Sequence, residues 1–173
     1  MPMSIAGRST NQAGFTLIEL ALVVLLLGLL ANLSLPLLSG FETDSLKVTA
    51  RRISGTVKFL YNEAVMTGLE QRLVFNLSDG SYHAQELDPV GELQNKQNLG
   101  RRYELPDKVH IESIYQPRSG DHNTGEVTTA LLPGGWLDET IIHLRDEENS
   151  RLTLRLVPLT GLTEFYEGYR SFR

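Results

Sequence analysis

From Phe15 to Leu38 the chain is apolar at nearly every position, and Glu19 is the one charge within it. A helix of this stretch is greasy on all sides and needs apolar surroundings. It would be roughly 36 Å long at about 1.5 Å per residue, against a bilayer hydrocarbon core of about 30 Å. Further along, Leu46, Ala50, Ile53, Val57, Leu60 and Ala64 recur every three or four residues, with Lys47, Arg51, Ser54, Lys58 and Asn62 on the other side. That is the stripe of an amphipathic helix, and Gly68 is a stop for it. The two stretches predict one long helix from near Phe15 to about Thr67. Pro36 should bend it, having no N–H and crowding the carbonyl of Asn32.

Past Gly68 the period shortens to two. Arg72–Leu77 and Tyr82–Leu87 flank an Asp-Gly turn and predict a hairpin. Lys108–Tyr115 and Val127–Leu132 read as further strands. A second hairpin is predicted from "TIIHLRD" and "RLTLRLV" around "EENS". In Arg151–Val157, Leu152, Leu154 and Leu156 alternate with Arg151, Thr153 and Arg155, the pattern of a half-exposed antiparallel strand. Asp88–Arg102 and Gln116–Gly125 read as polar loops. Trp136, after Pro133-Gly134-Gly135, is expected to plug the edge of the core, and Glu164–Arg173 to end in a strand capping the sheet.

Composition narrows the function. The chain has 173 residues, no cysteine and a net charge of −5. Thiolate chemistry and disulfides are excluded. Arg8 and Glu19 cancel, so the part from Gly40 onward carries the whole −5, a poor field for phosphate. No nucleic acid is expected as a partner. The four histidines, His83, His110, His122 and His143, lack metal-ligand spacing, and no nucleophile elbow or phosphate loop is present. No enzyme, cofactor or metal is expected. Asp121–Glu126 offers oxygen ligands around Gly125 but departs from the calcium-loop pattern, and reads first as a surface loop.

Glu19 then needs a reason. Secretory signals have shorter apolar regions, about 7–15 residues, closed by a small-residue cleavage site, and none closes this one. A carboxylate near a helix start meets the positive end of the dipole. Cleavage before Phe15 would create an ammonium one helical turn from Glu19, in the same chain or a neighbouring one.

"GFTLIEL", with Gly14 before Phe15 and Glu19 five residues after the glycine, resembles the prepilin peptidase site of type IV pilins and type II secretion pseudopilins. The resemblance implies cleavage after Gly14, N-methylation of Phe15, and docking of each new subunit through Glu19 and the preceding subunit's N-terminus. Pro36 falls where the family kinks its helix. The later element order, with "PGG" before a hairpin, is more similar to the minor pseudopilin H group and its minor-pilin relatives than to the major pseudopilin. The implied fold is pilin-like α+β: a long N-terminal helix, membrane-spanning in its first half, packed on an antiparallel β-sheet head. Its parts would be a leader over 1–14, a membrane or filament-core helix over 15–38, an amphipathic continuation over 39–68, and a periplasmic head over 69–173. The implied location is the bacterial inner membrane, single-pass, with the leader cytoplasmic, and then a periplasmic filament. Implied partners are other pseudopilins, major and minor, the prepilin peptidase, the inner-membrane assembly platform, the lipid bilayer before assembly, and secreted proteins. The alternatives are a minor pilin of a type IV pilus, serving assembly, adhesion or DNA uptake, and a membrane-anchored periplasmic enzyme.

Overall fold

The structure, a computed structural model, describes residues 17–39, 45–95 and 102–172, with side chains except at 31–39 and 95. The uniformly apolar segment forms helix α1, Leu17–Ser39. Its described side chains leave large apolar groups exposed all round, among them Leu17, Ile18, Leu22, Leu25 and Leu29. Its backbone stays helical through Pro36. Among the described residues no helix is long and apolar enough to cross a membrane. The described side chains of α1 stop at Leu30, and Phe15 lies outside the described residues, so the expected 15–38 span is covered only in part.

The amphipathic stripe forms α2, Ser45–Thr67, with Leu46, Thr49, Ala50, Ile53, Val57, Leu60 and Ala64 buried. Residues 40–44 lie outside the described residues. The expected single helix is therefore described as two, which fall in separate compact units, Met1–Thr43 and Asp44–Arg173. Gly68 ends α2 in the left-handed region at φ 72°, where its N–H bonds the Ala64 carbonyl.

Eleven strands follow α2 among the described residues: β1 Gln71–Asn76, β2 Ser81–Leu87, β3 Leu93–Asn95, β4 Tyr103–Glu104, β5 Val109–Gln116, β6 Gly120–His122, β7 Glu126–Leu132, β8 Trp136–Leu137, β9 Thr140–Asp146, β10 Arg151–Leu156 and β11 Thr163–Glu167. They form two sheets, ordered β3-β2-β1-β7-β8 (with β4 also on β2) and β11-β10-β9-β5-β6. The apolar stripe of α2 packs on β1 and β7 of the first and on β5, β9 and β10 of the second. One core results, with Ile53, Val57 and Leu60 against Leu73, Phe75, Leu131, Ile142, Leu144, Leu154 and Leu156. Each large side chain so buried contributes about 1.5–3 kcal/mol relative to exposure.

Local chemistry sets the registers. In the β1–β2 turn, Asn76 Oδ1 accepts the N–H groups of Ser78 and Asp79 at 3.0 and 3.3 Å. A shift in the β5–β9 register between Ile111 and Ser113 lets Val109, Ile111 and Ile114 all join the core. Strict alternation would have turned Ile114 outward.

Three expectations are corrected. Asp88–Arg102 and Gln116–Gly125 hold strands β3 and β6, short edge strands whose ladder is carried by a neighbour rather than by their own alternation; residues 96–101 lie outside the described residues. The outer side of β10 is not uniformly exposed, because Thr153 is fully buried. Trp136 is only half-buried, and Leu137 beside it enters the core instead.

Both flanks of α2 are fastened. On one, the Arg52 guanidinium lies 4.0 Å from the Tyr103 ring centre, and Tyr103 continues an aromatic row through Tyr82 to Phe75. On the other, Lys58 Nζ donates to the Thr160 carbonyl at 3.2 Å. The Tyr61 hydroxyl lies 2.8 Å from the carbonyls of both Gly135 and Leu159. The turn between β10 and β11 reaches Tyr61 because Gly161, at φ 61°, has no side chain; a Cβ there would overlap the ring. Gly161→Ala should destabilise the chain by about 2–4 kcal/mol, from left-handed strain plus overlap. In a Tyr61→Ala background the cost should fall to the backbone part, about 1–2 kcal/mol. Denaturant melts of the four proteins in detergent check this, and equal costs in both backgrounds would refute the contact.

Candidate functional site

Glu19 lies exposed in the first turn of α1, beside exposed Leu17, Ile18 and Leu20. Gly14 and Phe15 lie outside the described residues, as does the side chain of Pro36. The described geometry is a carboxylate at the start of an apolar rod. Once such a rod is packed away from water, its charge requires a cation.

The start of the Gln116–Gly125 loop meets Trp136 and Pro158 at one cleft. Arg118, in the β5–β6 turn, stacks its guanidinium 5.0 Å from the Trp136 ring centre and reaches Asp138 at 3.5 Å. With Pro117, Glu139 and Pro158 they line a cleft of about 240 Å³. Gln116 ties the sheets beneath it, donating to the Thr128 carbonyl at 3.0 Å and to Thr140 Oγ1 at 3.1 Å. The Asp121–Glu126 segment is engaged with the β1–β2 turn. The Leu77 N–H donates to the Gly125 carbonyl at 2.9 Å, and Asn76 Nδ2 donates to Glu126 Oε1 at 3.3 Å. Among the described residues no three histidine, aspartate or glutamate side chains gather to hold a metal ion.

The histidines part company. His110 is exposed, and His83 and His122 are half-buried. His143, on β9, is 2% exposed. Thr153 Oγ1 donates to the Gly168 carbonyl at 2.7 Å and accepts the Arg170 N–H at 3.0 Å. Its one proton is thus used, so its 3.2 Å contact with His143 Nδ1 needs the ring to donate. Tyr169 covers the ring, stacked at 3.9 Å with 17° between planes. Burial pushes the imidazole pKa down, with Glu112 and Asp121 acting the other way. Sequence reasoning passed over this cluster. The signals were the Thr153–His143 register and the aromatic tail, but only the path of the tail joins them.

Two arginines of this face are matched. Arg151 makes a two-pronged pair with Glu112 at 2.9 and 3.0 Å. Arg155 donates to Glu139 at 2.8 Å and lies 3.4 Å from Glu164. This charge is spent inside the fold rather than gathered for phosphate.

Residues 9–31 match the prokaryotic N-terminal methylation motif. Two fimbrial proteins of Dichelobacter nodosus are similar in sequence. One is 29% identical over 74% of this chain and 72% of its own length. The other is 31% identical over 67% of this chain and 64% of its own. In fold, the chain is similar to the minor pseudopilin EpsH from the type II secretion system of Vibrio cholerae. One of its structures gives a TM-score of 0.58 at 13% identity, covering 75% of this chain and 98% of that one. The solution structure of E. coli GspH matches with a TM-score of 0.54 at 11% identity, covering 71% of this chain and 88% of that one. The chain has a pilin-like α+β fold, similar to that of the minor pseudopilin EpsH, and carries a prokaryotic N-terminal methylation motif.

His143 carries a pH dependence. The unfolded chain binds a proton there near pH 6.5, and the folded chain only at lower pH, so folding stability falls as pH drops below about 6.5. His143→Asn keeps an N–H for Thr153 but does not titrate. It should lower stability at pH 7, through the lost Tyr169 stack, and flatten the loss between pH 6.5 and 5. Melts of both proteins across that range check it, and parallel curves would refute it.

Proposed function

We propose that this pilin-like chain is a minor pseudopilin of the H type, a structural subunit of a type II secretion pseudopilus that supports protein export across the outer membrane. One observation carries the reading: a prepilin methylation motif over residues 9–31 stands ahead of a head whose fold is similar to H-type minor pseudopilins. The second reading, a minor pilin of a type IV pilus, draws on the likeness to fimbrial proteins.

In this mechanism the 1–14 leader stays cytoplasmic and the apolar 15–38 segment spans the inner membrane, with the remainder periplasmic. The prepilin peptidase cuts between Gly14 and Phe15 and the new amine is methylated. The exposed apolar surface of α1 is soluble in lipid before assembly and finds other stems afterwards. Glu19 then pairs with the amine of the preceding subunit. Pro36 loosens the helix so that stems pack round one axis. Partners are the other pseudopilins and the assembly platform, and the head meets them and secreted cargo as protein surfaces. Its negative charge disfavours nucleic acid.

Two measurements test the reading. Intact mass of the membrane-extracted chain should show a mature N-terminus at Phe15 with one added methyl. A chain still carrying its leader in cells with active peptidase would sink it. Glu19→Ala should leave cleavage intact and reduce both stem-to-stem crosslinking and secretion. Removing one partner of a buried pair costs about 3–5 kcal/mol. Unchanged secretion with lost surface fibres would favour the type IV pilus.

A further inference from the structure

β11 ends the second sheet, and at five residues it is longer than the other described sheet ends, β3, β6 and β8. Its ladder parity follows from two bonds. The Gly168 N–H donates to the Arg151 carbonyl, and the Val157 N–H to the Leu162 carbonyl. With Arg155 opposite Glu164 and Thr153 opposite Tyr166, the even-numbered residues turn their backbone groups toward β10. Thr163, Phe165 and Glu167 turn theirs away, toward the open edge. Their side chains share the α2 side of the sheet, since Phe165 lies opposite Leu154 and Glu167 opposite Leu152.

Along that same edge runs a groove of about 290 Å³ between β11 and the first turns of α2. Ala50, Leu152 and Phe165 line it with apolar surface, and Lys47, Arg51 and Glu167 stand at its rim. Phe165 is 45% exposed there. Lys47 lies 3.9 Å from Glu167, so among the described lining residues Arg51 adds one further positive charge to the rim. Unpaired strand edges are usually blunted by brevity, proline or charged side chains; β11 is the longest of these ends and lacks proline and lysine, and its Glu167 lies 3.9 Å from Lys47. An outward row of donors and acceptors beside an apolar groove is the arrangement used for strand addition, where main-chain bonds supply affinity and alternate side chains supply selectivity.

We propose that the free edge of β11 accepts an extended segment of a partner protein. The segment places a large apolar side chain in the groove and, two residues away on the same face, a carboxylate against Arg51. The apolar floor calls for the first group and Arg51 at the rim for the second. The site belongs to the head alone and holds whichever filament the chain joins.

The test uses the full chain in detergent micelles and the capped heptapeptide Thr-Thr-Asp-Thr-Leu-Thr-Thr. Residue-resolved hydrogen exchange and a titration are followed together. Without peptide, the amides of Phe165 and Glu167 exchange fast and those of Glu164 and Tyr166 slowly. Saturating peptide slows the first pair. Arg51→Glu weakens binding at least tenfold, and a peptide with Lys in place of Asp restores it on that variant. Thr163→Pro removes an outward N–H without touching the β10 ladder and weakens binding while leaving the melting temperature unchanged. No saturable binding, binding indifferent to the charge exchange, or protection of these amides by the chain alone in a concentration-dependent way would each overturn the proposal, the last by giving the edge to a second copy.

Discussion

Burial of one helical stripe organises the head. Leu46, Ala50, Ile53, Val57, Leu60 and Ala64 are unremarkable singly, but together they form an apolar ridge that both sheets must cover. A lone sheet leaves part of such a ridge wet, whereas two sheets meeting along it leave none. The register shift in β5 follows from the same demand, since it returns Ile114 to the core after Ile111 has already faced it. So does the clasp at Tyr61, which closes the helix against the β10–β11 turn where a side chain on Gly161 would not fit.

Polar groups then divide the remaining surface. On the outer side of the second sheet the residues after β11 fold back over His143 and Thr153, converting an exposed strand face into a second, smaller buried layer. Thr153 Oγ1 and His143 Nδ1 are bonded within the layer, and Arg151 and Arg155 are matched by carboxylates around it. Polar pairing here gives definition rather than net stability, because exposed pairs of this kind are worth about 0–1 kcal/mol each. The edge of β11 is one place among the described residues where backbone groups and apolar surface stay open together.

The two compact units embody opposite solvents. The head satisfies itself in water. The described part of α1 buries almost none of its leucines and valines within the chain, so its stability depends on what surrounds it. A helix with no polar face needs apolar surroundings, and the methylation motif lies over its start.

Periodicity alone determined the amphipathic stripe of α2, the Asp79-Gly80 hairpin, the β9–β10 hairpin and the alternating leucines of β10, because each is a local pattern set by neighbours a few residues apart. The motif around Gly14, Phe15 and Glu19 was equally legible, since it is a contiguous string. Three things were decided by tertiary structure. β3 and β6 exist because a longer strand lies beside them, and their own residues do not alternate. Trp136 walls a cleft because Leu137 takes the core position. His143 is buried because a tail more than twenty residues later crosses it. In each case the deciding partner is distant in sequence, and which distant segments meet is a property of the closed core rather than of any local string.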